Sequence, residues 1–158
     1  MNECERTADQ LRRAFHGDAW HGPSLREILE EVTPKQASDR PIEGAHTIWE
    51  LVRHIGAWLE LFDATMHGVP VPQHSAPGFQ DLDWPAVGVS DANAWRIAKE
   101  KMFAAADSLA ASIAAFDPAR LGEKVPGRDY DYAYALPGLV QHSLYHAGQI
   151  AILKKALN

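Results

Sequence analysis

The stretch LVQHSLYHAGQIAILKKAL, residues 139–157, sets two histidines four residues apart in an otherwise apolar helical pattern. Residues four apart on an α-helix differ by about 40° in direction and about 6 Å in height, so His142 and His146 project side by side. Both imidazoles are predicted to face the interior, where each ring nitrogen needs a partner. Four apolar side chains lie within about 40° of the direction of His146: Leu139, Ile150, Leu153 and Leu157.

Three further segments repeat apolar residues at helical spacing, which predicts long helices over residues 3–16, 46–66 and 90–116 beside one over 134–157. Ser90 is the expected N-cap of the third helix. Ser24 and Glu27 form a capping-box pair that predicts a short extra helix reaching about Val32. No segment of useful length alternates as a strand does, although residues 124–133 can hold a short extended piece. We therefore predict an all-α four-helix bundle, with a short extra helix and long irregular loops, over a single domain 1–158.

The connections between the long helices are rich in proline and glycine. Residues 33–44, 68–88 and 117–132 are predicted to be loops. Loops this long in a compact domain are usually functional or mobile. We expect residues 68–88 and the loop before the fourth helix to frame the entrance of a pocket.

Composition excludes several function classes. A formal net charge of −6 without a basic stripe argues against nucleic acid as a partner. No apolar run approaches the ~20 residues of a membrane helix, and the charged first residues do not resemble a secretory signal, so a cytoplasmic location is the default expectation. Cys4 is the only cysteine, which rules out an internal disulfide, and we expect it at a mobile terminus.

A third metal ligand is expected from a facing helix, and His54 in WELVRHIGAW lies at the inner edge of the second helix's apolar stripe. Three neutral imidazoles can hold a divalent ion such as zinc, nickel, iron or manganese. Three protein ligands leave coordination positions open, which is typical of catalytic rather than structural sites. The alternative is that each ring is a buried histidine satisfied by ordinary hydrogen bonds. The remaining histidines are expected on the surface: His16, His21, His46, His67 and His74.

Candidate catalytic groups lie next to these histidines in sequence. Glu50 precedes His54 by one turn and is a possible base, but with Thr47 it also fits a capping box, which we favour. Gln149 flanks the histidine face and either points at a bound substrate or bonds a neighbouring backbone group. Tyr145, a polar group near the mouth of the fourth helix, is a further candidate. The residues between His142 and His146 lack the glutamate of the H-E-x-x-H protease motif. The cluster Asp129–Tyr132 fits turn chemistry.

HTIWELVRHIGAW (46–58) together with LVQHSLYHAGQIAILKKAL (139–157) resembles the DinB-like superfamily, which includes the YfiT-type metal-dependent hydrolases. The style of GDAWHGPSLREIL (17–29) is similar as well. The resemblance implies a four-helix bundle, commonly a homodimer, with a divalent metal held by three histidines. These match His54, His142 and His146. Related members include mycothiol- or bacillithiol-dependent transferases and isomerases.

Three functions are compatible with these observations. The first is a metal-dependent S-transferase, in which a low-molecular-weight thiol is a cosubstrate and attacks a small electrophile. The second is a hydrolase that uses metal-bound water and needs a base. The third is a non-catalytic metal- or ligand-binding module.

Overall fold

The computed structural model describes residues 1–157 and is all-helical, as predicted. The long helices are α1 (Glu3–His16), α4 (Ile48–Met66), α6 (Ala92–Ala115) and α7 (Tyr132–Ala156). Short helices interrupt the connections, namely α2 (Leu25–Leu29), α3 (Pro34–Ser38) and α5 (Phe79–Asp83), together with a 3-10 turn at Pro118–Arg120.

The four long helices form a closed ring. Both α1 and α4 pack against α6 and α7, so that α1 and α4 lie diagonally across the bundle. Their buried apolar side chains form one connected core. Within residues 1–157, no helix has both the length and the apolar character needed to cross a bilayer. The homodimer and the single-domain boundaries stay predictions.

Side-chain caps fix where the long helices begin. The Thr47 side chain accepts a hydrogen bond from the Glu50 N–H, and Glu50 accepts one from the Thr47 N–H, so the predicted capping box is present. Asp131 caps α7 in the same position. The prediction that Ser90 caps the third long helix is wrong, because the Asp91 carboxylate accepts the bond from Ala94 N–H instead.

Two of the three predicted loops contain a short α-helix, and the third contains the 3-10 turn at Pro118–Arg120. Within residues 33–44, Thr33 and Gln36 form a capping box around Pro34, whose fixed φ suits a first helical turn, and α3 results. Helix α5 follows the left-handed Gly78. The short extended piece reduces to one antiparallel bridge between Lys124 and Asp131. The spacing of apolar residues did not predict α3 and α5, because each of these helices is only five residues long.

The terminus that holds Cys4 is ordered, contrary to expectation. Cys4 lies in α1 with no exposed surface. Burial raises the pKa of its thiol, and the neighbouring Glu3 carboxylate acts in the same direction. A buried, protonated thiol is a core side chain and a poor nucleophile.

Hydrogen bonds to backbone carbonyls join the loop after α4 to the loop before α7. Val71 N–H donates to the Pro126 carbonyl at 2.9 Å, and the Arg128 guanidinium donates to the carbonyls of Val71 and Pro72. Gly127 has φ of +81°, and a Cβ there would lie 2.4 Å from the Val71 carbonyl oxygen, so only glycine fits. This contact joins the two segments that contribute residues to the site.

Candidate metal centre

Three histidine side chains from α4 and α7 converge inside the bundle. The Nε2 atom of His142 lies 3.0 Å from Nε2 of His54 and 3.1 Å from Nε2 of His146. His54 and His146 are buried, and His142 is partly exposed towards a cavity. The three residues predicted from the sequence as ligands therefore form a single cluster that can hold a metal ion.

The connection after α4 orients the His54 ring. His54 Nδ1–H donates to the backbone carbonyl of Asp83 at 2.6 Å. The Trp84 indole stacks on the same ring, with centroids 3.9 Å apart and planes 10° from parallel, and His46 stacks on the other face of Trp84 at 3.5 Å. Trp58 Nε1–H donates to the Asp83 carboxylate at 2.7 Å, which ties the end of α5 back to α4.

The His146 ring is oriented within its own helix. Its Nδ1–H donates to the side-chain oxygen of Gln149, three residues on, at 2.6 Å. The Tyr145 ring lies edge-on to the His146 ring, with centroids 5.1 Å apart. No contact with another helix is needed for this hydrogen bond, since residues three apart share a helix face.

These hydrogen bonds decide which ring nitrogens carry lone pairs. A carbonyl oxygen only accepts, so the Nδ1 atoms of His54 and His146 carry the protons and their Nε2 atoms are bare. His142 Nε2 can give one proton to one of them at most. At least one of the short Nε2–Nε2 contacts therefore has no hydrogen bond, which leaves a buried lone pair without a partner unless a cation lies beside it.

The spacing suits a transition metal. For metal–nitrogen bonds of about 2.1 Å, ligand atoms lie about 3.0 Å apart at right angles and about 3.4 Å apart at the tetrahedral angle. The observed 3.0 and 3.1 Å fall at the right-angled end of that range. A ligating histidine usually donates its other N–H to a carbonyl or carboxylate, as His54 and His146 do. The donor set therefore fits a divalent metal.

Burial keeps the cluster neutral. Burial, with the neighbouring His146 and His54 rings acting in the same direction, lowers the pKa of His142 to about 4. Burial also lowers the pKa of His54, although the hydrogen bond to Asp83 opposes this. The pKa of His146 is lowered for the same reason, against the opposing bond to Gln149. Neutral imidazoles are the form that binds metals.

A cavity of about 800 Å³ opens above His54 and His142. Its walls are mostly apolar, and its size falls in the range of small-molecule sites. Residues from both expected loops, Asp83 and Tyr130, contribute to it beside side chains of α4 and α7. The expectation that these loops frame a pocket agrees with this placement.

The candidate catalytic residues lie at different distances from the cluster. Gln149 contacts His146 directly, and Tyr145 is 67% exposed on the cavity wall. Glu50 holds the start of α4 and bonds the Arg40 guanidinium at 2.8 Å, and it is absent from the described residues that line the cavity. Burial alone would raise the pKa of Glu50, but the hydrogen bonds from Thr47 and Arg40 outweigh it and lower the pKa.

The Asp129–Tyr132 cluster divides between turn chemistry and the cavity. Asp131 is the N-cap of α7, and the Asp129 carbonyl accepts a hydrogen bond from Lys124 Nζ. Tyr132 is buried and packs against Phe116, whereas Tyr130 lines the cavity. The turn interpretation therefore fits Asp129 and Asp131 only.

Sequence reasoning missed Asp83, Trp84 and the stacking role of His46. All three lie outside the long helices, where no periodicity predicts which way a side chain points. The dipeptide Asp83–Trp84 inside a proline-rich loop was the one available signal, because a large aromatic residue there is unusual for a solvated connection. It gave no indication of contact with His54.

Comparison with known proteins identifies the family of the chain. No curated protein and no solved structure matches the chain. Residues 8–150, which include all three clustered histidines, match the profile of the DinB superfamily. The chain therefore belongs to the DinB superfamily.

Proposed function

We propose that the three-histidine cluster binds a divalent transition metal and that the protein is a thiol S-transferase acting on a small electrophile. The observation that carries the proposal is the convergence of three Nε2 atoms, two of them left with bare lone pairs, beside an open cavity that His54 and His142 line. When bound there, a divalent ion lowers the pKa of a coordinated thiol and so supplies a nucleophile near neutral pH.

The residues of the chain orient the metal ligands and hold the electrophile beside them. Asp83 and Gln149 orient the imidazoles of His54 and His146 through their Nδ1–H groups. The mostly apolar walls provide a surface that holds the electrophile next to His54 and His142. In the overall reaction a sulfur–carbon bond forms, the thiol proton passes to solvent, and the leaving group departs with the electron pair of its bond to carbon.

The thiol has to come from a cosubstrate. Cys4 is the only cysteine in the sequence, and it is buried in α1 with a raised pKa. A low-molecular-weight thiol can instead enter the cavity, which has room for both a thiol and a small electrophile.

The transferase is favoured over a hydrolase because it needs no base from the protein. Activating water for hydrolysis is helped by a side chain that accepts its proton. The carboxylate that lines the cavity, Asp83, already accepts from Trp58 Nε1–H, and Glu50 is committed to its helix cap and to Arg40. Thiol transfer ends with the proton in solvent and leaves these carboxylates unchanged.

The test is a metal-dependent thiol-transfer screen. Protein loaded with zinc, nickel, iron(II) or manganese is mixed with mycothiol, bacillithiol or glutathione and an electrophile, either monobromobimane or 1-chloro-2,4-dinitrobenzene. We expect thiol consumption with at least one metal, and its loss in His142→Ala. Turnover of esters or amides without thiol would identify a hydrolase instead. Tight metal binding with a raised melting temperature and no turnover would identify a binding module.

A further inference from the structure

The cavity above the three histidines carries almost no charge. Apart from the histidines, Asp83 is the one ionisable carboxylate or basic side chain among the described residues that line it. Its carboxylate is occupied by the Trp58 indole N–H. The Arg128 guanidinium, two residues before Tyr130 in the chain, is not part of the lining and donates to the carbonyls of Val71 and Pro72. An anionic group bound against these walls away from the three histidines would lose its water without meeting a cation, which is costly.

Aromatic rings supply much of the wall. Tyr134 and Tyr145 on α7 border the cavity while remaining 72% and 67% exposed, and Trp58 and Phe62 contribute rings from α4. Eleven residues along a helix amount to about 16 Å and a change of direction of about 20°. Tyr134 and Tyr145 therefore stand on one face of α7, about three turns apart, with open cavity between them.

Gly138 lies between these tyrosines, one turn after Tyr134, and also lines the cavity. A Cβ built there would meet no atom within 4 Å, so packing does not require glycine at this position. Glycine weakens a helix interior relative to alanine. Its effect here is to leave bare backbone, and hence a recess, in the wall between two aromatic rings.

We propose that this recess is the binding site for a neutral, flat ring, which lies against the backbone of Gly138 between Tyr134 and Tyr145 with one edge directed at the histidine cluster. Aromatic walls favour a ring through stacking and edge contacts. Away from the histidine cluster, the described residues that line the cavity offer no free cation, which disfavours an acidic group on the ring. The inference deepens the proposed function, because it names the class of electrophile that the same site accepts.

The test measures binding apart from turnover. Zinc-loaded protein is titrated by calorimetry at neutral pH with 2-naphthol, with naphthalene-2-sulfonate, which has the same rings but a fixed charge, and with 1-octanol, which is neutral but has no ring. We expect 2-naphthol to bind at least tenfold more tightly than either comparison compound. Equal or tighter binding of the sulfonate would overturn the requirement for neutrality, and equal binding of octanol would overturn the requirement for a ring.

The recess is tested by a matched pair of substitutions on the same helix. Gly138→Leu fills it, whereas Gly148→Leu adds the same side chain at an exposed position that also has no atom within 4 Å of its Cβ. We expect Gly138→Leu to weaken 2-naphthol binding at least tenfold and Gly148→Leu to leave it within twofold. Unchanged binding in Gly138→Leu would refute the recess. If Gly138→Leu does not fold, Gly138→Ala gives the same comparison with a smaller decrease.

Metal content, measured on each sample, separates this inference from the proposed function. Full zinc occupancy without 2-naphthol binding would overturn the ring site and leave the metal-dependent transferase standing. Binding of 2-naphthol that requires Gly138, in a protein that takes up no zinc, would overturn the metal-dependent transferase and leave the ring site standing.

Discussion

The two sides of the metal centre are built by different means. On α7, His142 and His146 lie side by side because four residues separate them on one helix, and Gln149 of the same helix orients one of the rings. On α4, His54 is oriented by residues about 30 positions further along the chain, the Asp83 carbonyl and the Trp84 ring.

This difference has a consequence for how the centre responds to mutation. The α7 pair needs only its helix, so most changes elsewhere leave it in place. The His54 ring depends on a connection that contains only one short helix, α5, between α4 and α6. We therefore expect metal affinity to be more sensitive to changes in residues 79–84 than to changes beside the pair on α7.

The largest loss of metal binding is expected when any one of the three ligands is removed, on either side of the metal centre. Replacing His54, His142 or His146 singly by alanine removes one of three ligands, so each variant should lose stoichiometric metal while its helix content stays unchanged. Elemental analysis and circular dichroism measure both properties. His21→Ala, at an exposed histidine, is the control and should keep its metal. Full metal occupancy in any of the three variants would refute the ligand assignment.

The comparison is tested most directly at Trp84. Trp84→Ala removes the ring between His46 and His54, and we expect metal affinity to fall about 10- to 100-fold, the range found when groups that support a ligand are lost. Competition with a chromogenic chelator measures the affinity. Trp20→Ala removes an indole that is fully exposed and should have no effect. An affinity equal to that of the unmodified protein would show that α4 alone orients His54.

On the α7 side, Gln149→Ala should lower the metal affinity by less than Trp84→Ala does, at most about tenfold. The helix still presents His146 Nε2 towards His142 when the hydrogen bond at Nδ1 is lost, because the position of the ring follows from the helix backbone. Gln10→Ala, at an exposed glutamine of α1, is the control. A loss of metal affinity larger than that of Trp84→Ala would show that the α7 side depends more on its supporting residue than the α4 side does.

The smallest effect concerns the stability of the metal-free protein. The pKa of His142 is about 4 in the folded chain, and an unfolded histidine has a pKa of about 6.5. Between these values the unfolded state binds more protons, so stability is fully present above about pH 6.5 and falls as the pH decreases towards 4. Lowered pKa values at His54 and His146 act in the same direction.

We therefore expect the melting temperature of metal-free protein to fall by a few degrees from pH 7 to pH 5. In His142→Ala the decrease should be smaller, because the side chain with the most lowered pKa is gone. Scanning calorimetry in chelator measures both. A decrease that is the same in the two proteins would assign the pH dependence to other groups.

Prediction from sequence succeeded where a helix determines the geometry. The apolar stripes predicted the four long helices, and the predicted Thr47–Glu50 capping box is present at the start of α4, which begins two residues after the predicted residue 46. The same stripes placed His54, His142 and His146 on inward faces, and the structure brings them together. Prediction was weaker for short turns such as α3 and α5, whose five residues are too few for a periodic pattern to stand out.

The spacing of apolar residues could not predict how the ligand rings are oriented. Asp83 and Trp84 lie in the connection between α4 and α6, and their contact with His54 depends on how that connection folds back over α4. Cys4 shows the same limitation in another form, since its burial depends on the packing of α1 against α6 and α7. A terminal position in the sequence does not reveal such packing.

The sequence by itself determined the helices, their apolar faces and the three imidazoles on them, because the period of 3.6 residues converts spacing directly into direction. Only the tertiary structure decided that Asp83 and Trp84 orient His54, that Glu50 is tied to Arg40, and that a cavity opens beside Gly138. These features depend on how the helices and connections pack. Side-chain contacts between segments far apart in the chain have no period to reveal them.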